Sequence, residues 1–198
     1  FKQSTGEMVW EAELANACLN FPAVTADGKT MVLGDGTNVI TPPTLAQTKG
    51  MSREAIDKFY KLQQDWLAEK RQMEMWGKDN LNASIMGFDT QTGKMKWQHK
   101  VEPYWGWAFA GDEERAYNYV VNNASLQFCG PTHWSGSTID DNGNIYIGRS
   151  SGFLHVYNPE DDSEVQFETH DGHLPAGVVF APGMMVVPSC SFINVFKY

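Results

Sequence analysis

Apolar residues along most of this chain recur at every second position in short bursts, the period of half-buried strands. The bursts come in similar pairs. Residues 83–88 predict an incoming strand and residues 95–99 an outgoing one, joined through Thr92-Gly93. A second family of segments reads strand, Gly turn, strand, Gly at 21–34 and 137–148, with a looser copy at 175–187. After each comes a polar turn and another apolar burst, at 37–40, 152–157 and 192–196. The predicted unit is therefore four short strands.

One phrase repeats across the units. Phe1-Lys2-Gln3-Ser4-Thr5-Gly6-Glu7-Met8-Val9-Trp10 returns as Phe88-Asp89-Thr90-Gln91-Thr92-Gly93-Lys94-Met95-Lys96-Trp97. Thr-Gly supplies a turn with a residue free to take positive φ, and the return strand carries Trp four residues later. Residues 158–167 form a third copy that has lost Thr-Gly and Trp, leaving Phe167 as a substitute anchor. Gly143 and Gly183 lie 40 residues apart, the length of one four-stranded propeller blade.

These residues resemble the quinoprotein-like β-propellers, whose blades carry a tryptophan-docking motif of the form Ala-x-Asp-x-x-Thr-Gly-x-x-x-Trp. The phrase from Asp89 to Trp97 matches it, and Thr5, Gly6 and Trp10 match its second half. The resemblance implies an all-β fold: a partial propeller of about three four-stranded antiparallel blades, spanning 1–198 as a single segment. It also implies that Thr5, Gly6, Trp10, Thr92, Gly93 and Trp97 are structural anchors pinning neighbouring blades. Family enzymes are dehydrogenases using pyrroloquinoline quinone with Ca²⁺, while other members act as binding scaffolds. Cys18, Cys129 and Cys190 are far apart, so the family's adjacent Cys pair is absent, and no Ca²⁺ set maps onto the chain. No catalytic or cofactor residue is carried across, and the quinone with Ca²⁺ remains an implication of resemblance alone.

Three blades fall short of the usual closed ring. The expectation is a piece of a larger array, completed by further blades of the same polypeptide or by a protein partner.

Two insertions interrupt the repeat. In 41–84, Ile56, Phe59, Tyr60, Trp66, Leu67 and Met73 recur at helical spacing, Ser52 is placed to cap and Glu54 lies in the first turn. The long helix predicted there either packs on the propeller or forms a docking ridge with Trp66 and Trp76 as partner anchors. The second insertion, 101–132, holds Tyr104-Trp105-Gly106-Trp107-Ala108-Phe109, which either fills space or stacks on a ligand. Trp105, Trp107 and Trp134 suggest a carbohydrate-binding alternative, and His133 beside Trp134 is a further candidate contact. His170-Asp171-Gly172-His173 and Asp140-Asp141-Asn142-Gly143-Asn144 read as polar turns rather than metal sites, and no metal is predicted.

The net charge of −9 and pI near 4.9 argue against nucleic-acid partners. No run is long and apolar enough to span a bilayer. An odd cysteine count and two Asn-x-Ser sequons leave the compartment open, with the resemblance pointing to an extracytoplasmic one. Two readings of function follow. The leading one is a non-catalytic module for assembly or binding; its rival is part of a quinone-dependent alcohol or sugar dehydrogenase.

Overall fold

Alternation in the sequence becomes antiparallel meanders in the structure, a computed structural model that describes residues 4–14, 18, 20–36, 38–39, 50–58, 60–61, 64–65, 68, 83–101, 104–105, 109–113, 115, 134–169, 171–173 and 176–197. The first sheet runs β1 (Ala23–Val24), β2 (Thr30–Asp35), β4 (Ala83–Asp89), β5 (Met95–Val101). The second runs β7 (Thr138–Ile139), β8 (Ile145–Gly148), β9 (Phe153–Asn158), β10 (Ser163–Glu168). The third has β11 (Val179–Ala181), β12 (Met184–Pro188) and β13 (Ile193–Lys197). The chain is all-β in its sheets, and each sheet connects neighbouring strands in order.

One predicted strand is displaced. Residues 37–40 were expected to supply a third strand beside β2, yet β3 (Asn38–Val39) pairs in parallel with β6 (Tyr104–Trp105). The third strand of the first sheet is β4, which pairs with β2 from Thr30↔Asp89 to Asp35↔Ser84. The helical insertion sits between β2 and β4, so the backbone partner that β2 requires arrives only after it. Within the insertion a helix begins at residue 53, where the Ala55 N–H donates to Ser52 Oγ at 3.2 Å as a cap should. Arg53–Asp57, Glu54–Lys58 and Lys61–Asp65 pair along it at i,i+4. No helix among the described residues is long and apolar enough to cross a membrane.

Two layers of side chains join the sheets. Val32, Ile85, Ile145 and Ile147 fill the space between the first and second sheets with Trp134 and Tyr157. Leu154, Val178, Met185 and Val187 do so between the second and third. β4 is buried on both faces, because Met86 and Phe88 turn away from the second sheet to pack with Leu33, Leu14 and Cys18.

Each of the three copies of the repeated turn holds a residue with positive φ. Gly6 and Gly93 both have φ of 69°, and Asp162, one residue ahead of the Gly position in the third copy and last in its turn, has φ of 57°. A non-Gly residue there is held in the left-handed region at a cost of about 1 kcal/mol. Asp162→Val is expected to lower stability by about 1–2 kcal/mol, because a β-branched side chain fits that region worst. Asp162→Gly is expected to change it by less than about 1 kcal/mol. Chemical denaturation of both variants checks this, and equal effects would refute it.

Candidate functional site

In a meander the connections alternate between two edges of the sheet. The β1–β2, β4–β5, β7–β8, β9–β10 and β11–β12 turns therefore lie at one edge of their sheets, and the β8–β9 and β12–β13 connections lie at the other, the edge from which β2 and β5 lead into the insertions. The turn edge carries the Thr-Gly pairs of the repeated phrase. At β4–β5, Asp89 Oδ1 accepts from the Gln91 and Thr92 backbone N–H groups and from Thr92 Oγ1. These bonds hold the Asp89 carboxyl below the usual carboxylate range. The Lys94 N–H donates to Thr92 Oγ1, and the Glu7 N–H donates to Thr5 Oγ1 in the same way.

Trp10 reaches from the first copy of the phrase to the second. Its Nε1 donates to the Thr90 carbonyl at 2.9 Å, and its ring covers Gly93 so closely that a Cβ there would meet it at 2.6 Å. Trp97 lies half-buried between the first and second sheets. Its ring covers Gly87 on the facing strand and stands 5.6 Å from Tyr157. Phe167 takes the corresponding place between the second and third sheets, 6.2 Å from Phe196.

Phenylalanine is smaller than tryptophan, and a groove of about 910 Å³ opens beside it. Tyr146, Phe180 and Phe196 line the groove with Phe167, while Asp141 and Lys197 stand exposed along it. Asp140 belongs to the groove only as a turn-former. Its carboxylate accepts from the Asn142 and Asn144 backbone N–H groups, from Asn144 Nδ2 and from the Tyr146 hydroxyl. The third sheet next to this groove ends in β13, which has no strand on its outer side among the described residues. Ile193, Val195 and Phe192 are exposed there, at 74, 53 and 61 %.

The insertion edge is more polar and more enclosed. Trp134 is 2 % exposed, donates through Nε1 to the Asp35 carbonyl at 2.9 Å, and packs on Gly34. The Arg149 guanidinium lies 5.1 Å from its ring centroid. A sugar or partner cannot stack on a ring so covered, so Trp134 belongs to the core rather than to a contact surface. His173 repeats the arrangement one unit later, with its ring packed on Gly148. Its Nδ1–H donates to the Pro188 carbonyl, and its Nε2 accepts from the Thr169 hydroxyl. Burial pushes the His173 imidazole down to about 4. Asp171, fully buried, accepts from the Ser189 hydroxyl and the Ser191 backbone N–H, which ties the β12–β13 loop to the same edge.

A polar link also crosses between the first two sheets. Glu164 on β10 accepts from His155 on β9 through one oxygen and from His99 on β5 through the other. The bond from His155 is the main cause that pulls the Glu164 carboxyl down to about 2, and burial keeps the His155 pKa low. The link consumes both carboxylate oxygens, so it fastens sheets together and offers no free base.

Of the candidate contacts, Trp66, Trp76, Trp107 and His133 lie outside the described residues, as do Cys129 and His170. Only the backbone of Trp105 is described. Cys18 is a free, half-buried thiol. Among the described residues no cluster of three or more His, Cys, Asp or Glu could hold a metal ion. No protein-family model matches the chain, and no curated protein matches it.

Proposed function

We propose that this chain is a section of a quinoprotein-like β-propeller that works by assembly and binding rather than by catalysis. The sheets are its blades, and Trp10 and Trp97 are the pins between them. The reading rests on one observation: the third sheet presents a strand that has no outer neighbour among the described residues, with exposed apolar side chains, beside a groove of about 910 Å³. A bare strand edge is a template for another strand, and soluble proteins cover or blunt such edges.

Its chemistry supports the same reading. Asp140, Glu164 and His173 each have their polar atoms engaged by neighbours within the fold. The test is to incubate the protein with pyrroloquinoline quinone and Ca²⁺, remove free quinone and record the near-ultraviolet spectrum. The retained quinone is expected to be far below one per chain. One quinone held per chain, with dye reduction on an alcohol or sugar, would replace the assembly reading with the oxidoreductase one.

A further inference from the structure

Asn142-Gly143 is the one Asn-Gly step in the chain. Asn is thermolabile, and most so before Gly, because a residue without Cβ leaves its own nitrogen open to the Asn side chain. The nitrogen of Gly143 bonds to Asn142 Cγ, the Cγ–Nδ2 bond breaks, and ammonia leaves with the Gly143 proton. Water then opens the cyclic imide. Attack at the side-chain carbonyl leaves aspartate, and attack at the main-chain carbonyl leaves isoaspartate, whose backbone is longer by a carbon. Water is consumed and ammonia released, so no other reactant is needed.

The fold supplies both the exposure this step needs and the restraint that holds it back. Asn142 stands exposed at the tip of the β7–β8 hairpin, and its side-chain amide has no hydrogen-bond partner among the described residues. The attacking nitrogen is engaged. The Gly143 N–H donates to the Asp140 carbonyl at 3.0 Å, with φ of 81° at Gly143, so the proton that must leave is held inside the turn. The Asp140 carboxylate fastens the same turn through the Asn142 and Asn144 N–H groups, both at 2.9 Å, and through Asn144 Nδ2 at 2.8 Å. Behind the turn the hairpin is short, with Thr138↔Tyr146 and Ile139↔Ile145 in register. Such a hairpin opens more readily than the core of its sheet, so opening rather than exposure sets the rate.

We infer that Asn142 is a spontaneous deamidation site gated by opening of the β7–β8 hairpin, and that isoaspartate there keeps the hairpin from reclosing. The added backbone carbon sets the Gly143 N–H out of line with the Asp140 carbonyl. The strand affected joins all three sheets. The Ser137 N–H donates to the Phe21 carbonyl beside β1 at 3.1 Å, and Thr138 Oγ1 donates to the Val178 carbonyl beside β11 at 2.7 Å. Conversion of the turn therefore loosens both junctions of the second sheet, and a transient opening becomes a permanent one.

Peptide mapping of the full chain after incubation at mildly alkaline pH tests this, on folded protein and in guanidinium chloride. Asn142 is expected to convert in denaturant, and at least about tenfold more slowly in the folded protein, where only the open fraction reacts. Asp140→Ala is expected to speed conversion of the folded protein several-fold and to leave the denatured rate unchanged. Asn144→Ala, which removes the side-chain amide bond to Asp140 and keeps the backbone ones, is expected to speed it less, and circular dichroism confirms which variants fold. Asp27→Ala loosens the β1–β2 turn instead and is expected to leave the rate at Asn142 unchanged. The isoaspartate form, separated by its added charge, is expected to unfold at lower denaturant than Asn142→Asp, which carries the same charge on an ordinary backbone.

Equal rates in folded and denatured protein overturn the gate, as do unchanged rates in the folded Asp140→Ala and Asn144→Ala proteins. If Asp27→Ala accelerates conversion as much as the Asp140 variant, the whole fold opens rather than the hairpin, and the inference falls. An isoaspartate form as stable as Asn142→Asp overturns its second half.

Discussion

Gly87→Ala is expected to destabilise the protein by about 2 kcal/mol, although it adds one methyl group to a strand. Trp97 lies flat against Gly87 across the β4–β5 ladder, and a Cβ built at Gly87 falls inside van der Waals contact of the indole. The clash is with the body of the ring rather than with a flexible tip. Backbone holds the indole on one side and Tyr157 stands on the other, so relief requires the sheets to shift, at the usual overpacking cost of about 1–3 kcal/mol. Trp97→Ala is expected to cost about 3 kcal/mol, at the low end for a large aromatic because the ring is half-buried. The double variant carries the sharper test. Once the ring is gone the new methyl has room, so the pair is expected to cost about 3 kcal/mol rather than the sum, a coupling of about 2 kcal/mol. Urea unfolding of all four proteins measures it. Strict additivity would show that the ring does not lie over Gly87 and would remove the Trp97 anchor.

The turn at which Trp10 docks was readable from residue types, because Asp, Thr and Gly at their spacing leave few other conformations. The same logic extends only in part to residues 158–163, where the positive φ falls on Asp162, one residue ahead of the place that Gly93 holds in the phrase. The place of Phe167 was also readable from its offset in the phrase. The groove beside it was not, since its lining comes from two sheets that are separate in sequence.

Strand order failed where it depended on chain far away in sequence. Residues 37–40 look like any other apolar burst, and only the return of the chain at Ala83 decides which strand pairs with β2. The glycines at 34 and 148 were visible as repeat markers. Their use as seats for Trp134 and His173 was hidden, because each seat and its occupant come from different units. For the same reason Trp134 looked like a contact residue. A tryptophan in sequence does not say whether its face meets solvent or a neighbouring guanidinium. The bridge from His99 through Glu164 to His155 is three separate polar residues until two sheets are stacked.

Below neutral pH the His173 seat is expected to become the weak point of the fold. In the unfolded chain its imidazole titrates near 6.5, whereas burial against Gly148 lowers it to about 4 in the folded state. The folded form therefore resists a proton that the unfolded form accepts. Its contribution is fully present above pH 6.5 and is lost as pH falls through 4, amounting to about 3 kcal/mol over that range. The bond to the Pro188 carbonyl and the charge of Asp171 oppose the shift but are outweighed by burial, which His155 reinforces. His155, also lowered by burial, adds a loss of the same sign. Glu164 adds its own only further down, from its ordinary value of 4.5 toward about 2. The measurement is unfolding free energy against pH for the wild type and for His173→Gln, which keeps polar atoms at the seat but binds no proton. The variant is expected to lose most of the slope between pH 6.5 and 4 while retaining the steeper fall below 4. Parallel curves for the two proteins would mean that His173 is already protonated in the folded state, and that its bond from Thr169 runs the other way.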